Sequence, residues 1–123
     1  MSTDIVADVL NQIMNAKKAK RQEIEVTRVS KLLIKVLDLM KQYGYVDYEL
    51  LDKKLKITIK KINECRAIKP RYTVSKDSLD RYVRRFLPSR NFGFIVVSTN
   101  KGLMVHQETQ ENKIGGCLIA YFY

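Results

Sequence analysis

The sequence predicts an α+β protein of two small packed domains, the first running α-β-α-β-β and the second mostly β with short helices. Three observations carry this expectation. Helical and strand periodicities alternate through the first half, short apolar runs separated by turn residues fill the second, and Pro70 rigidifies a basic crossing between them. With 123 residues, 46% of them hydrophobic, and no low-complexity tract, the chain can build two modest cores and nothing larger.

Ile5, Val6, Val9, Leu10, Ile13 and Met14 recur at helical spacing behind Ser2 or Thr3 as cap. They predict a first helix that ends near Asn15 in the basic run Lys17, Lys18, Lys20 and Arg21. Ile24 and Val26 alternate with Glu23, Glu25 and Thr27, a short half-buried strand. Ser30 then caps a second helix with the stripe Leu32, Leu33, Val36, Leu37 and Met40, closed by Tyr43 and Gly44. Residues 45–51 and 55–59, around a turn at Asp52, Lys53 and Lys54, predict a hairpin. A boundary in residues 61–69 divides the chain into a first domain, 1–68, and a second, 69–123.

In the second domain, residues 72–74 read as a strand, with Ser75 or Ser78 capping a helix that turns Leu79, Tyr82, Val83 and Phe86 inward and stops at Leu87 and Pro88. The continuous run Phe94, Ile95, Val96 and Val97 predicts a strand covered on both faces. Residues 103–105 pair with it after a turn, the polar stretch 106–112 reads as a short surface helix, and 117–122 as a second covered strand.

Charge narrows the function. Lys and Arg number 23 against 13 Asp and Glu, a formal +10 with pI ≈ 9.7. The excess is distributed: 14 basic and 9 acidic side chains up to Ile68, 9 and 4 beyond, so each part carries +5. Such a field favours polyanions. A membrane-surface role would need a basic amphipathic helix with apolar residues left to insert, and the stripes here are committed to cores. The longest apolar run, residues 117–122, is too short to span a bilayer, and no secretory signal is expected in the acidic N-terminus.

Chemistry by side chains is not indicated. Cys65 and Cys117 stand far apart with His106 as the sole histidine, so zinc would lack its ligand number and spacing, and two reduced, buried thiols are expected. No nucleophile motif, paired-carboxylate site, GxxxxGK[ST] or GxGxxG loop is present, and Gly115 and Gly116 merely precede a strand. The chain is expected to be no enzyme and to take no cofactor, metal or small-molecule substrate.

Nucleic acid remains. Basic residues cluster at 17–21, 53–61 and 81–90, with Lys31, Lys69 and Arg71 at element junctions. In VVSTNKG, Ser98, Thr99 and Asn100 follow a strand, Gly102 makes the turn permissive and Lys101 can meet a phosphate. A-form RNA hides its base edges, so specific reading relies on irregular features that small polar groups can approach closely. The competing reading of this heptapeptide is a Ser/Thr turn satisfying its own backbone.

The stretches INECRAIKPRYTV, LPSRNFGFIVVSTNKGLMVHQET and KIGGCLIAYFY, with DIVADVLNQIMNA and VSKLLIKVLDLMKQYGYV before them, give a chain that resembles the small-subunit ribosomal protein eight family over nearly its whole length. IKPRY and LPSRNFGF are similar to the archaeal and eukaryotic branch. The resemblance implies a cytoplasmic, two-domain ribosomal protein without catalysis. It would be bound to an irregular helix in the central domain of 16S/18S-type rRNA from early in assembly, beside neighbouring small-subunit proteins. It implies RNA contacts at Ser98, Thr99, Asn100, Lys101 and Gly102, at Asn15, Lys17 and Lys18, at Ser30 and Lys31, at Lys69, Pro70 and Arg71, at Arg90, and at Gly115 and Gly116. Asn100 stands where the family usually has serine or threonine, Thr109 where alanine is common, and Asp47 and Arg66 where glycine is usual. A non-ribosomal RNA-binding regulator using the same fold is the alternative.

Overall fold

A computed structural model describes residues 5–68, 72–75, 77–89 and 92–123. The chain forms two compact units, Met1–Cys65 and Arg66–Tyr123.

The first unit runs α1 (Ile5–Lys18), β1 (Glu23–Val26), α2 (Lys31–Gln42), β2 (Val46–Leu50) and β3 (Leu55–Ile59), the expected α-β-α-β-β order. Its three strands form an antiparallel sheet in the order β1-β3-β2. Leu10 and Ile13 of α1, Leu33, Val36, Leu37 and Met40 of α2, and Leu55 and Ile57 of β3 are fully buried. The helical period and the strand period therefore deliver their apolar residues to one core.

α1 continues a turn beyond Asn15. Lys17 and Lys18 occupy its last turn, where cations meet the negative end of the helix dipole. Lys20 closes it in a left-handed conformation (φ 60°), with the Arg21 N–H donating to the Ala16 carbonyl at 2.8 Å and the Lys20 N–H to that of Lys17 at 3.0 Å. The basic run is thus helix and cap rather than the segment after the helix. Ser2 and Thr3, the expected N-caps, lie outside the described residues. Ser30 caps α2 as expected, its hydroxyl accepting the Leu33 N–H at 3.1 Å.

The second sheet is built from β4 (Cys65–Ala67), β5 (Thr73–Val74), β6 (Phe94–Thr99), β7 (Gly102–Val105) and β8 (Gly116–Phe122). Its order is β4-β8-β6-β7, with β5 also pairing β8. α3 (Leu79–Phe86) supplies Leu79 and Val83 to a core with Ile68, Val74, Leu87, Ile95, Val97 and Leu118, while Tyr82 and Phe86 pack half-buried against it. Ser78 precedes α3 without capping it. Its hydroxyl accepts the Ser75 N–H at 3.0 Å and lies 3.2 Å from the Ser75 carbonyl, so the two expected cap residues close a turn on each other.

Between Val96 and Val97 the β6–β8 register shifts: Val96 pairs with Ala120, yet Val97 pairs with Leu118, leaving Ile119 as the extra residue of a β-bulge.

α4 (His106–Asn112) departs from the surface helix expected of a polar sequence, because His106 and Thr109 are buried. The reason is local hydrogen bonding. β7 ends at Val105, opposite Val96, and His106 Nδ1 accepts the N–H of the preceding β6 residue, Ile95, at 3.0 Å. The Thr109 hydroxyl donates to the His106 carbonyl at 2.7 Å. Burial lowers the imidazole pKa to about 4 against an opposing pull from Asp80, so the ring is neutral and carries its proton on Nε2.

Candidate nucleic-acid interface

The tip of the β6–β7 hairpin is a two-residue connection, with Thr99 paired to Gly102 across Asn100 and Lys101. Neither Asn100 nor Lys101 has positive φ; Gly102 does, at 110°. The turn therefore closes on a glycine, and a Cβ there would meet no atom within 4 Å, so backbone conformation alone calls for glycine. Thr99 locks the turn: its hydroxyl donates to the Gly102 carbonyl at 2.8 Å and accepts the Lys101 N–H at 3.1 Å. That is the Ser/Thr turn of the competing sequence reading, and it occupies only Thr99. Asn100 and Lys101 are exposed, and among the described residues no hydrogen bond engages the side chains of Ser98 or Asn100.

Register extends the tip into a surface. Thr73 pairs with Cys117, Cys117 with Ser98, and Ser98 with Leu103, so four strand ends place these side chains side by side on one face. The neighbouring positions inward on that face, Val96, Val105 and Ala120, are buried. Ser98 and Cys117, half-buried, and Thr73, exposed, form a rim, a row of three small side chains where the core ends, with half-buried Leu103 at its side.

Gly115 and Gly116 join this rim and have a steric reason to be glycine. A Cβ on Gly116 would stand 2.4 Å from the Ser98 carbonyl oxygen, and one on Gly115 2.3 Å from that of Val74. The pair lets the start of β8 slide between the ends of β5 and β6. Thr73 and Cys117 escaped the sequence reading, since only the pairing of strands remote in sequence brings them to Ser98. Cys117 is a half-buried free thiol rather than a buried one, while Cys65 is buried as expected.

The remaining expected contacts fall elsewhere. Asn15, Lys17 and Lys18 are exposed on the last turn of α1, and Lys17 Nζ donates to the Asn63 carbonyl at 3.1 Å. Ser30 and Lys31 open α2, the serine hydroxyl being occupied by its cap bond while Lys31 is exposed. All five belong to the first unit; the tip, Gly115 and Gly116 belong to the second. Lys69, Pro70, Arg71 and Arg90 lie outside the described residues. Groups of His, Cys, Asp and Glu able to hold a metal ion do not occur among the described residues, nor does a helix long and apolar enough to cross a membrane.

The family model for ribosomal protein S8 matches residues 4–123. The chain belongs to the ribosomal protein S8 family. Curated relatives named small ribosomal subunit protein uS8 include one from Nanoarchaeum equitans, 42% identical over the full length of both chains, and one from Thermoplasma volcanium, 40% identical over the full length of both. Another, from the fungus Neurospora crassa, is 35% identical over 98% of each. The S8 family is one of structural ribosomal proteins of the small subunit, and its model covers both units described above.

Two departures from the family's usual residues have a visible setting. Thr109 fills a buried place with a hydrogen bond. Asp47 takes an ion pair with Lys41 at 3.2 Å and lies 4.0 Å from Lys60; the hydrogen bond from Lys41 is the largest influence holding its carboxyl below the usual range.

Proposed function

We propose that this S8-family chain is a structural constituent of the small ribosomal subunit that binds an irregular helix in the central domain of 16S/18S-type rRNA and supports subunit assembly, without catalysing a reaction. The second unit supplies the specific contact and the exposed lysines of both units anchor phosphates. The single observation that carries the reading is the rim at the end of the second sheet. Ser98, Thr73, Gly115, Gly116 and the Asn100–Lys101 turn offer short donors and acceptors over a backbone that a close partner can reach. The relatives, each named as a small-subunit protein, support the choice of RNA. A distorted RNA helix presents ribose hydroxyls and base edges to groups of that reach, whereas long side chains would hold it away.

The test is a binding titration of the chain with the matching rRNA helix against a regular duplex of equal length. Asn100→Ala should weaken binding to the irregular helix by about 1 kcal/mol, the range of one hydrogen bond, and leave duplex binding unchanged. Lys101→Gln should weaken both and reduce the salt slope by roughly 0.7–0.9 in log units. Equal affinity of the Asn100→Ala chain for the irregular helix would refute the assignment of the tip. Sedimentation with small subunits at high salt separates the ribosomal reading from that of a regulator working elsewhere.

A further inference from the structure

We infer that the outer edge of β1 is a docking site for an extended basic peptide segment of a protein partner, which would add to the first sheet as a fourth strand. The inference does not depend on RNA binding at the hairpin tip.

β1 pairs with β3 and, among the described residues, with no other strand. Which backbone groups face outward follows from two bonds. The Ile59 N–H donates to the Gln22 carbonyl at 2.7 Å, and the Lys60 N–H to the Tyr45 carbonyl at 3.0 Å. In an antiparallel ladder, bonded pairs alternate, so Ile24 and Val26 turn their backbone groups to β3 while those of Glu23 and Glu25 point away from it. A row of such groups is a template for another strand.

Space for that strand is present. Two grooves of ≈ 430 Å³ and ≈ 500 Å³ run between α1 and β1 and share Gln12 and Glu25 in their walls. Asp8, Glu23 and Glu25 line them, with Arg28 and Arg21 one in each. The walls thus count three carboxylates against two guanidinium groups, an acidic balance in a chain whose formal net charge is +10.

The occupant is specified by what β3 already does on the other side. Glu25 stands opposite Lys56 in register, and the lysines reach across diagonally: Lys54 Nζ lies 3.4 Å from Glu25 Oε2, and Lys56 Nζ 3.4 Å from Glu23 Oε2. Both glutamate side chains remain more than half exposed beside these lysines, which leaves each carboxylate accessible to a second cation. A strand with Lys or Arg at alternate positions would repeat the arrangement on the outer edge, giving each carboxylate a cation on both sides. A second copy of this chain pairing through β1 would instead oppose glutamate to glutamate, a destabilising arrangement.

The probe is a nine-residue peptide of alternating lysine and threonine, titrated into the full chain at low salt while amide exchange is followed by NMR. It should bind at least tenfold more tightly than the same peptide with glutamate for lysine. It should slow exchange at the Glu23 and Glu25 amides and leave Ile24 and Val26 unaffected. N-methylation of one alternate set of peptide residues should abolish binding while methylation of the other set is tolerated. Glu23→Lys with Glu25→Lys should invert the preference toward the glutamate peptide, and Glu23→Gln with Glu25→Gln, a milder change to the fold, should erase it. Equal binding of both peptides, equal tolerance of both methylation sets, or protection of these amides by an rRNA helix but not by the peptide would each overturn the proposal.

Discussion

His106 Nδ1 accepts the Ile95 N–H at 3.0 Å from inside the protein, so a titratable ring does the work of a strand partner. The bond requires an unprotonated Nδ1, which ties the stability of the second unit to pH.

The folded pKa, about 4, lies below the ordinary value of 6.5. Between those values the unfolded chain binds the proton and the folded one does not, so stability falls as pH drops from about 6.5 to about 4. Fully expressed, the loss is about 3 kcal/mol. His106→Asn keeps an acceptor near the Nδ1 position without the titration. Urea unfolding at about pH 7, 5 and 4 should show a smaller acid loss for the His106→Asn variant than for the parent, whatever the two stabilities are at neutral pH.

Gly102 and Gly116 should respond differently to alanine. At Gly102 only the positive φ resists, at a cost of about 1–2 kcal/mol. At Gly116 the new methyl would meet the Ser98 backbone oxygen at 2.4 Å, so strands must part and the cost exceeds about 3 kcal/mol. Thermal unfolding of the two variants ranks them.

Lys20→Gly and Lys113→Gly should each stabilise the protein, by about 0.5–1 kcal/mol. Both lysines hold left-handed backbone (φ 60° and 57°) just after a helix, where glycine is at ease. Denaturant midpoints of the single and double variants check the direction and the additivity expected of separate sites.

Thr99→Val should lower stability by about 1 kcal/mol, because the hydroxyl makes two hydrogen bonds within its own turn. Asn100→Ala should leave the melting temperature unchanged. Comparing melts of the two variants separates the residue that builds the tip from the one available to a partner.

These contrasts show which parts of the molecule are legible in a sequence. The order of the first five elements follows from local periodicity, and the cap at Ser30 from a single side chain bonding three residues on. The family pattern marked the tip together with Gly115 and Gly116, and the structure gathers them at one end of a sheet. What sequence periodicity could not supply is anything decided across distance in the chain. His106 looks solvated until Ile95, eleven residues earlier, needs an acceptor. Thr73 and Cys117 become neighbours of Ser98 only through a register spanning three strands. The lysines after Asn15 read as a charged break because their role as helix terminus depends on a left-handed residue that composition does not announce.

The bulge in β8 has a consequence for that same end of the sheet. Were Ile119 paired with Val97 in an unbroken register, Ser98 would sit across from Leu118, a bulky aliphatic group; leaving Ile119 unpaired advances the count by one and seats a small thiol there instead. Deleting Ile119 would straighten the ladder while leaving Leu118 across from Val97 and Cys117 across from Ser98, so this stretch can shed a residue without unseating the thiol from that end.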